Sequence, residues 1–279
     1  MQGELALVIS LTAYGNEFLA SPRESGPPEL VGANSTFRYV ASLEFHRSEG
    51  ETPLQSVVEG TRRTQPSRLE DLRSPQGTSA WFLQLRRAGA LRLRIVKLPS
   101  KLDPPEFHAA SFAGGIPWAI LVGFPSSSEL WVPKWKHEGG KKPWKVYVSG
   151  FAVTRPPGQA SMELTPAAES LREVLKRALD LSTRSKLEWT EDFSQALALL
   201  DSRSPEIPHH PDLLPSSGYS LFARQVMASG VRAWVFGGMG SFNDGWFGDP
   251  ALREEYEALV PSLYGAVVNA LLAATNSFG

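Results

Sequence analysis

The residues best suited to chemistry in this chain of 279 amino acids lie in one short stretch, GGMGSFNDGWFGDP, at positions 237–250. Ser241, Asn243 and Asp244 bring a hydroxyl, an amide and a carboxylate together among glycines, which let a backbone turn sharply and let a ligand approach closely. Asp244 is the only ionisable group between Gly237 and Gly248, so it is the candidate acid or base, with Ser241 and Asn243 as ligand-binding partners. The spacing fits no familiar nucleotide or hydrolase pattern. Gly238-Met239-Gly240 lacks the third glycine of a dinucleotide loop, no Gly-Lys-Ser/Thr occurs in the chain, and Met239 stands where a nucleophile elbow needs glycine. The same residues also suit a plain connector: Asn243 or Asp244 making side-chain turns, and Asp249 capping a helix that begins at Pro250.

A second set of residues suits binding rather than reaction. Trp131, Trp135 and Trp144 alternate with Lys134, Lys136, Lys141, Lys142 and Lys145, and Arg92 and Arg94 add positive charge upstream. Tryptophan is a frequent anchor at protein contacts, and aromatic rings beside cations also suit single-stranded nucleic acid. A sequence pI near 6.5 favours the protein partner or a homo-oligomer over nucleic acid. An ordinary hairpin, with tryptophans inward and lysines outward, accounts for the same pattern.

Other chemistries have little support. There is no cysteine, which removes disulfides, thiolate metal sites and a cysteine nucleophile. The five histidines are His46, His108, His137, His209 and His210. His209-His210-Pro211-Asp212 resembles a metal set, but adjacent side chains point apart and no histidine pair at helical spacing completes it. No metal and no cofactor is expected.

The elements that must carry these residues follow from periodicity. Phe37, Tyr39, Ala41, Leu43 and Phe45 alternate, predicting a strand over 35–47. Residues 48–78 gather glycine and proline and read as a surface excursion. Strands are expected at 79–87, 90–98 and, buried on both faces, 115–124. Residues 129–135 and 142–154 form a hairpin, with Pro133 placing its first strand at a sheet edge. Leu171, Val174, Leu175, Ala178 and Leu179 then recur at helical spacing, behind a start signal at Thr165-Pro166. Further helices are expected from Thr190, over 219–230, and from Asp249-Pro250 to about Ala274, with a kink at Pro261; a short buried strand is expected at 233–236. The apolar run at 5–15 has no preceding Lys or Arg and carries Glu4, so it reads as a core helix or strand, not a signal peptide.

These patterns predict an α+β fold: a mixed or mostly antiparallel sheet over about 35–154, plus the strand near 233–236, covered by three to four C-terminal helices. The strand-rich part is 1–158 and the helical part 159–279, as two units or one continuous body. Charge divides along similar lines. Residues 86–145 carry a net +7, against −3 before and −5 after, although the whole chain is −1. The expected role is a cytoplasmic, non-catalytic binding or scaffold protein that engages a protein partner or itself. The alternatives are an enzyme for a small polar substrate at the 237–249 loop, and a single-stranded nucleic-acid binder at the hairpin.

Overall fold

The structure is a computed structural model that describes residues 1, 3–51, 76–99, 106–110, 117–137, 139, 143–153, 163–237 and 240–279. Among the described residues it is an α+β fold with a five-stranded mixed sheet. The chain opens with α1 (Gly3–Ala20), a 3-10 turn (Ser35–Phe37) and β1 (Val40–Glu51). Then come α2 (Thr78–Arg87), β2 (Arg92–Lys97), α3 (Glu106–Ala109), β3 (Trp118–Gly123), β4 (Ser128–Lys136) and β5 (Trp144–Val153). Four helices follow: α4 (Leu164–Arg184), α5 (Thr190–Leu199), α6 (Leu221–Arg232) and α7 (Pro250–Asn276). The strand order is β1-β5-β4-β3-β2, antiparallel except for the β1–β5 pair.

The apolar run at 5–15 is a helix, and α1 is buried nearly all round, from Leu5 to Ala13 without a break. It lies against β2 and β3 on one side and meets α2 and α7 on others. Its buried polar groups are mostly bonded, although the Thr12 hydroxyl has no hydrogen-bond partner among the described residues. Ser10 bonds the Thr36 hydroxyl at 3.1 Å and the Leu213 carbonyl at 3.3 Å. The inner sheet face supplies Leu43, Phe45, Leu93, Ile95, Ile120, Trp131, Val146 and Val148 to the same core, while a smaller cluster around Leu130, Val132 and Ala119 occupies the opposite face.

Three contacts fix how helices dock on the sheet. In β2, Leu93 and Ile95 turn their backbone groups away from β3, as residues of an edge strand do. Asn16 of α1 accepts from the Leu93 N–H at 2.7 Å and donates to its carbonyl at 2.9 Å. Asn276 of α7 repeats this pair at Ile95, at 2.9 and 3.0 Å. Gly15 makes the approach of α1 possible, since a Cβ there would sit 2.7 Å from the Leu93 side chain.

Several expected elements change. Residues 79–87 are not a strand but belong to α2, whose buried Thr78, Trp81, Phe82 and Leu85 follow helical spacing. The N-terminus of α2 is capped from far away. Glu29 accepts from the N–H groups of Thr78 and Ser79 at 3.2 Å each and from the Thr78 hydroxyl at 3.0 Å. The strand expected at 35–47 begins only at Val40, after the 3-10 turn, and a bulge between Val40 and Ser42 shifts its phase. Phe37, Leu43 and Phe45 are buried as expected, whereas Tyr39 is 68% exposed. Pro133 is not at a sheet edge, because β4 lies between β3 and β5. Its missing N–H is tolerated because the β3–β4 ladder ends at Trp131. Residues 233–236 form no strand; Ala233 ends α6, and Val235 and Phe236 are buried without joining the sheet.

The C-terminal helices are the four expected. Helix α4 starts at Leu164 behind Glu163, so Thr165 lies inside the helix instead of capping it. Asp249 does cap α7, accepting from Ala251 N–H at 2.8 Å, and the helix continues through Pro261 to Asn276. By length and composition α7 is apolar enough to cross a membrane, yet 67% of its apolar window is buried within the fold. The excursion expected at 48–78 lies largely outside the described residues.

Replacing Asn16 by Leu removes two hydrogen bonds and strands a buried N–H and C=O on β2. The expected cost is about 2–4 kcal/mol in urea unfolding, and an unchanged midpoint would refute the clamp. Glu29 makes a pH-dependent contribution. Burial opposes its ionisation, but the Ser79, Thr78 and Val31 donors outweigh that and hold its pKa below the ordinary 4.5. A depressed folded pKa means stabilisation that is present above 4.5 and lost as pH falls through the folded value. Glu29→Gln should therefore be less stable than wild type at pH 7, with the gap closing below pH 4.5 in paired thermal melts.

Candidate functional site

The glycine-rich loop is built on an aromatic base. Phe242 is fully buried, with Trp189, Phe193 and Tyr256 rings at 5.4, 5.2 and 5.4 Å, each near edge-on. This anchors a 3-10 turn over Phe242–Asp244, and Tyr256 braces it by donating to the Phe242 carbonyl and accepting from Gly245 N–H at 2.8 Å. The position of Gly245 is dictated by that ring, which a Cβ would meet at 2.9 Å. Burial pushes the Tyr256 hydroxyl above its ordinary pKa, so it stays a neutral donor.

The three candidate residues turn largely toward one another. Asn243 is buried, and its side-chain oxygen accepts from Ser241 Oγ at 2.7 Å and from Gly237 N–H at 3.4 Å. Asp244 is exposed and accepts from Gly240 N–H at 2.9 Å and Asn243 Nδ2 at 3.3 Å. A fourth group arrives that sequence spacing does not nominate. His108, on the four-residue α3, places Nδ1 3.4 Å from Asn243 Nδ2. Because the Gly237 N–H needs an oxygen opposite it, the amide nitrogen faces the imidazole; His108 Nδ1 then accepts, and its proton resides on Nε2. Nearby, Glu106 of α3 holds Lys97 at 2.8 Å. Tyr264 meets the Phe107 ring at 6.5 Å, and its hydroxyl is buried without a hydrogen-bond partner. Burial, with the Glu106 charge adding to it, raises the Tyr264 pKa. Gly238 and Met239 lie outside the described residues.

The basic hairpin divides into an inner and an outer part. Trp131, expected at the contact surface, is 1% exposed and lies in the core. Its ring packs near edge-on against Trp81 and Phe45, over Gly150, where a Cβ would come within 2.6 Å of the indole. Its Nε1 donates to the buried Glu129 carboxylate at 3.1 Å, which also takes Arg47. Arg92 is likewise engaged internally: it donates to the Asn276 and Phe278 carbonyls at 2.6 and 2.7 Å, at the negative end of α7. Burial and the neighbouring Arg94 pull its pKa below the ordinary value. Arg94 is exposed, but β3 separates its strand from β4. Its row meets β4 at Leu130, about 20 Å along the strand from Lys136.

At the far end of the hairpin rings and cations share the same stretch of strand but alternate between its two faces. Trp135 and Trp144 sit 5.9 Å apart, edge-on, and His137 lies 4.7 Å from Trp144. Lys136 and Lys145 are direct cross-strand neighbours. The exposed Tyr39 joins them, because Trp144 N–H donates to its carbonyl at 2.8 Å, with Arg38 5.7 Å over its ring. Lys141 and Lys142 lie outside the described residues.

The adjacent histidines separate as their spacing requires. His210 turns to Ser35, with Nδ1 3.4 Å from its hydroxyl, while Asp212 binds Ser35 Oγ and accepts from its N–H at 2.8 Å. The carboxylate sits on the serine, not behind the histidine, so this is a clamp on the 3-10 turn and not a relay for nucleophilic attack. Among the described residues, no group of three or more His, Asp or Glu is arranged to hold a metal. Comparison of the chain with family models, curated proteins and solved structures gave no match.

Asn243→Ala should loosen the loop, costing about 1–3 kcal/mol through the Ser241 hydroxyl that loses its acceptor. Asp244→Ala, at an exposed position, should shift the unfolding midpoint far less. The reverse order in chemical denaturation would mean that Asp244, not Asn243, organises the turn.

Proposed function

We propose that the chain is a non-catalytic binding protein that engages an acidic protein surface through the outer end of the β4–β5 hairpin. The observation that carries this reading is the crowding of aromatic and cationic residues at the outer end of the hairpin. There Tyr39 is exposed and bonded through its carbonyl to Trp144; Trp135 and Trp144 share one face of the strand pair, and Lys136 and Lys145 pair on the other. Rigid, amphipathic rings next to cations are the usual composition of a protein contact with an acidic partner. The charge segregation supports the same reading, and a second copy of this chain is one eligible partner, since its helical part carries the opposite sign. Charge reversal at Lys136 and Lys145 and the change Tyr39→Ala leave the core untouched. Native mass spectrometry and sedimentation at low and high salt should show a complex or oligomer that both variants lose. Variants that retain the same species as wild type would refute the surface, and loss of a bound nucleic acid would replace the partner class.

A second reading rests on His108. An imidazole held against Asn243, next to an exposed Asp244, is an arrangement for proton transfer on a small polar substrate. In that reading His108→Gln abolishes turnover while leaving the fold intact. A turnover that survives this change would remove His108 from the chemistry.

A further inference from the structure

A cleft of about 620 Å³ lies between α5, the end of α6 and the proline-rich segment, within the range of pockets that hold small molecules. One wall is the α5–α6 pair. Arg232 at the end of α6 meets Asp192 near the start of α5 at 3.1 Å, and Gln225 reaches the Ser202 carbonyl beyond the end of α5 at 2.7 Å. The two helices therefore run antiparallel, and the seven residues from Gln225 to Arg232 set a cleft length of about 10 Å. The facing wall is the proline-rich segment with Ile207, Pro208, His209 and Pro211.

That segment holds an unusual backbone. His209 has φ of 63°, and the His210 N–H donates to the Pro208 carbonyl at 2.7 Å, closing a three-residue turn around it. A non-glycine residue rarely adopts this conformation, and such residues concentrate where a side chain must be aimed at a ligand. Tight anchoring on both sides sustains it: Asp212 and His210 are tied to Ser35, and Ile207 is buried.

The polar groups of the cleft sit at its ends and the apolar ones between them. Arg232 is partly buried and, among the described residues, pairs with Asp192 alone while its Nε meets no hydrogen-bond acceptor. A guanidinium carries five N–H donors, so it retains capacity for a second carboxylate. Asp192 already offsets part of its charge, which favours one additional negative charge over the two of a phosphate. At the other end, Ser202 Oγ accepts from Ser204 N–H at 3.2 Å, which leaves its hydroxyl hydrogen to donate. Glu206 is exposed, where solvent screens it.

We infer that this cleft binds a small amphipathic monocarboxylate. The carboxylate lies on Arg232, the apolar body runs along Ala198, Leu199, Ile207 and Pro208, and the far end reaches Ser202. This site is independent of the hairpin. The test titrates the full chain with octanoate, whose length matches the cleft, and with octanamide, which keeps the shape but lacks the charge, read by amide NMR shifts. Octanoate should saturate shifts confined to residues around Gln195, Ser202 and His209, with octanamide about tenfold weaker. Arg232→Gln should weaken octanoate by about the same factor, and Ala198→Trp, at an exposed position, should block the cleft. Equal affinity for acid and amide, wild-type binding by Ala198→Trp, or no saturable shifts would each overturn the proposal. If Arg232→Gln loses its fold by circular dichroism, the amide comparison and Ala198→Trp decide alone.

Discussion

Two asparagine side chains hold the halves of this molecule in register. An edge strand exposes unpaired backbone groups, and burying it under helices leaves them without water. Asn16 and Asn276 solve this by imitating a neighbouring strand, each presenting one acceptor and one donor to a single residue of β2. Because they come from the first and last helices, the two ends of the described chain meet on the same strand. Arg92 completes the joint by taking the terminal carbonyls of α7. The strand order leaves β2 at one end of the sheet, and the clamp turns that edge from a liability into the main attachment of the helical layer.

With that edge closed, the basic end of the hairpin lies at the other side of the molecule's architecture, where β1 joins β5. Its make-up reflects a division of labour along one strand. Trp131 fills the core beside a glycine, whereas Trp135, four residues on, packs only partly and meets Trp144. Positive charge that is internal at Arg92 is presented outward at Lys136. Composition alone made these positions look alike; burial separates anchors of the fold from members of a contact surface.

The glycine-rich loop and the proline-rich segment obey a common constraint. Each crosses between helices without regular backbone pairing, so side chains must satisfy the backbone in its place. Asn243 does this at 237–244, and Asn34, Tyr14 and Ser10 do it at the Asp212 and Leu213 carbonyls. Such side-chain pairing holds a loop in one shape, which is also what a binding site needs from its walls. The strained His209 persists for this reason.

Much of the architecture was legible in the residues themselves. The stripe from Leu171 to Leu179, the Asp249-Pro250 start and the alternation in 90–98 report local periods and caps, which depend on neighbours in sequence. The placing of the long helices α4 and α7 after the sheet was legible in the same way. What failed locally was decided at a distance. Helix α2 escaped notice because its cap is Glu29, far up the chain, although Thr78, Trp81, Phe82 and Leu85 already kept helical spacing. The register shift between Val40 and Ser42, which breaks the alternation expected over 35–47, depends on pairing with β5. In the same way, Ser241, Asn243 and Asp244 could be nominated from their types and proximity, but His108 and the Arg232 cleft required chain segments separated by more than a hundred residues or by whole helices to meet. Sequence by itself determines what each segment prefers; only tertiary packing decides which backbone groups lose water, and therefore which side chains must turn inward to replace it.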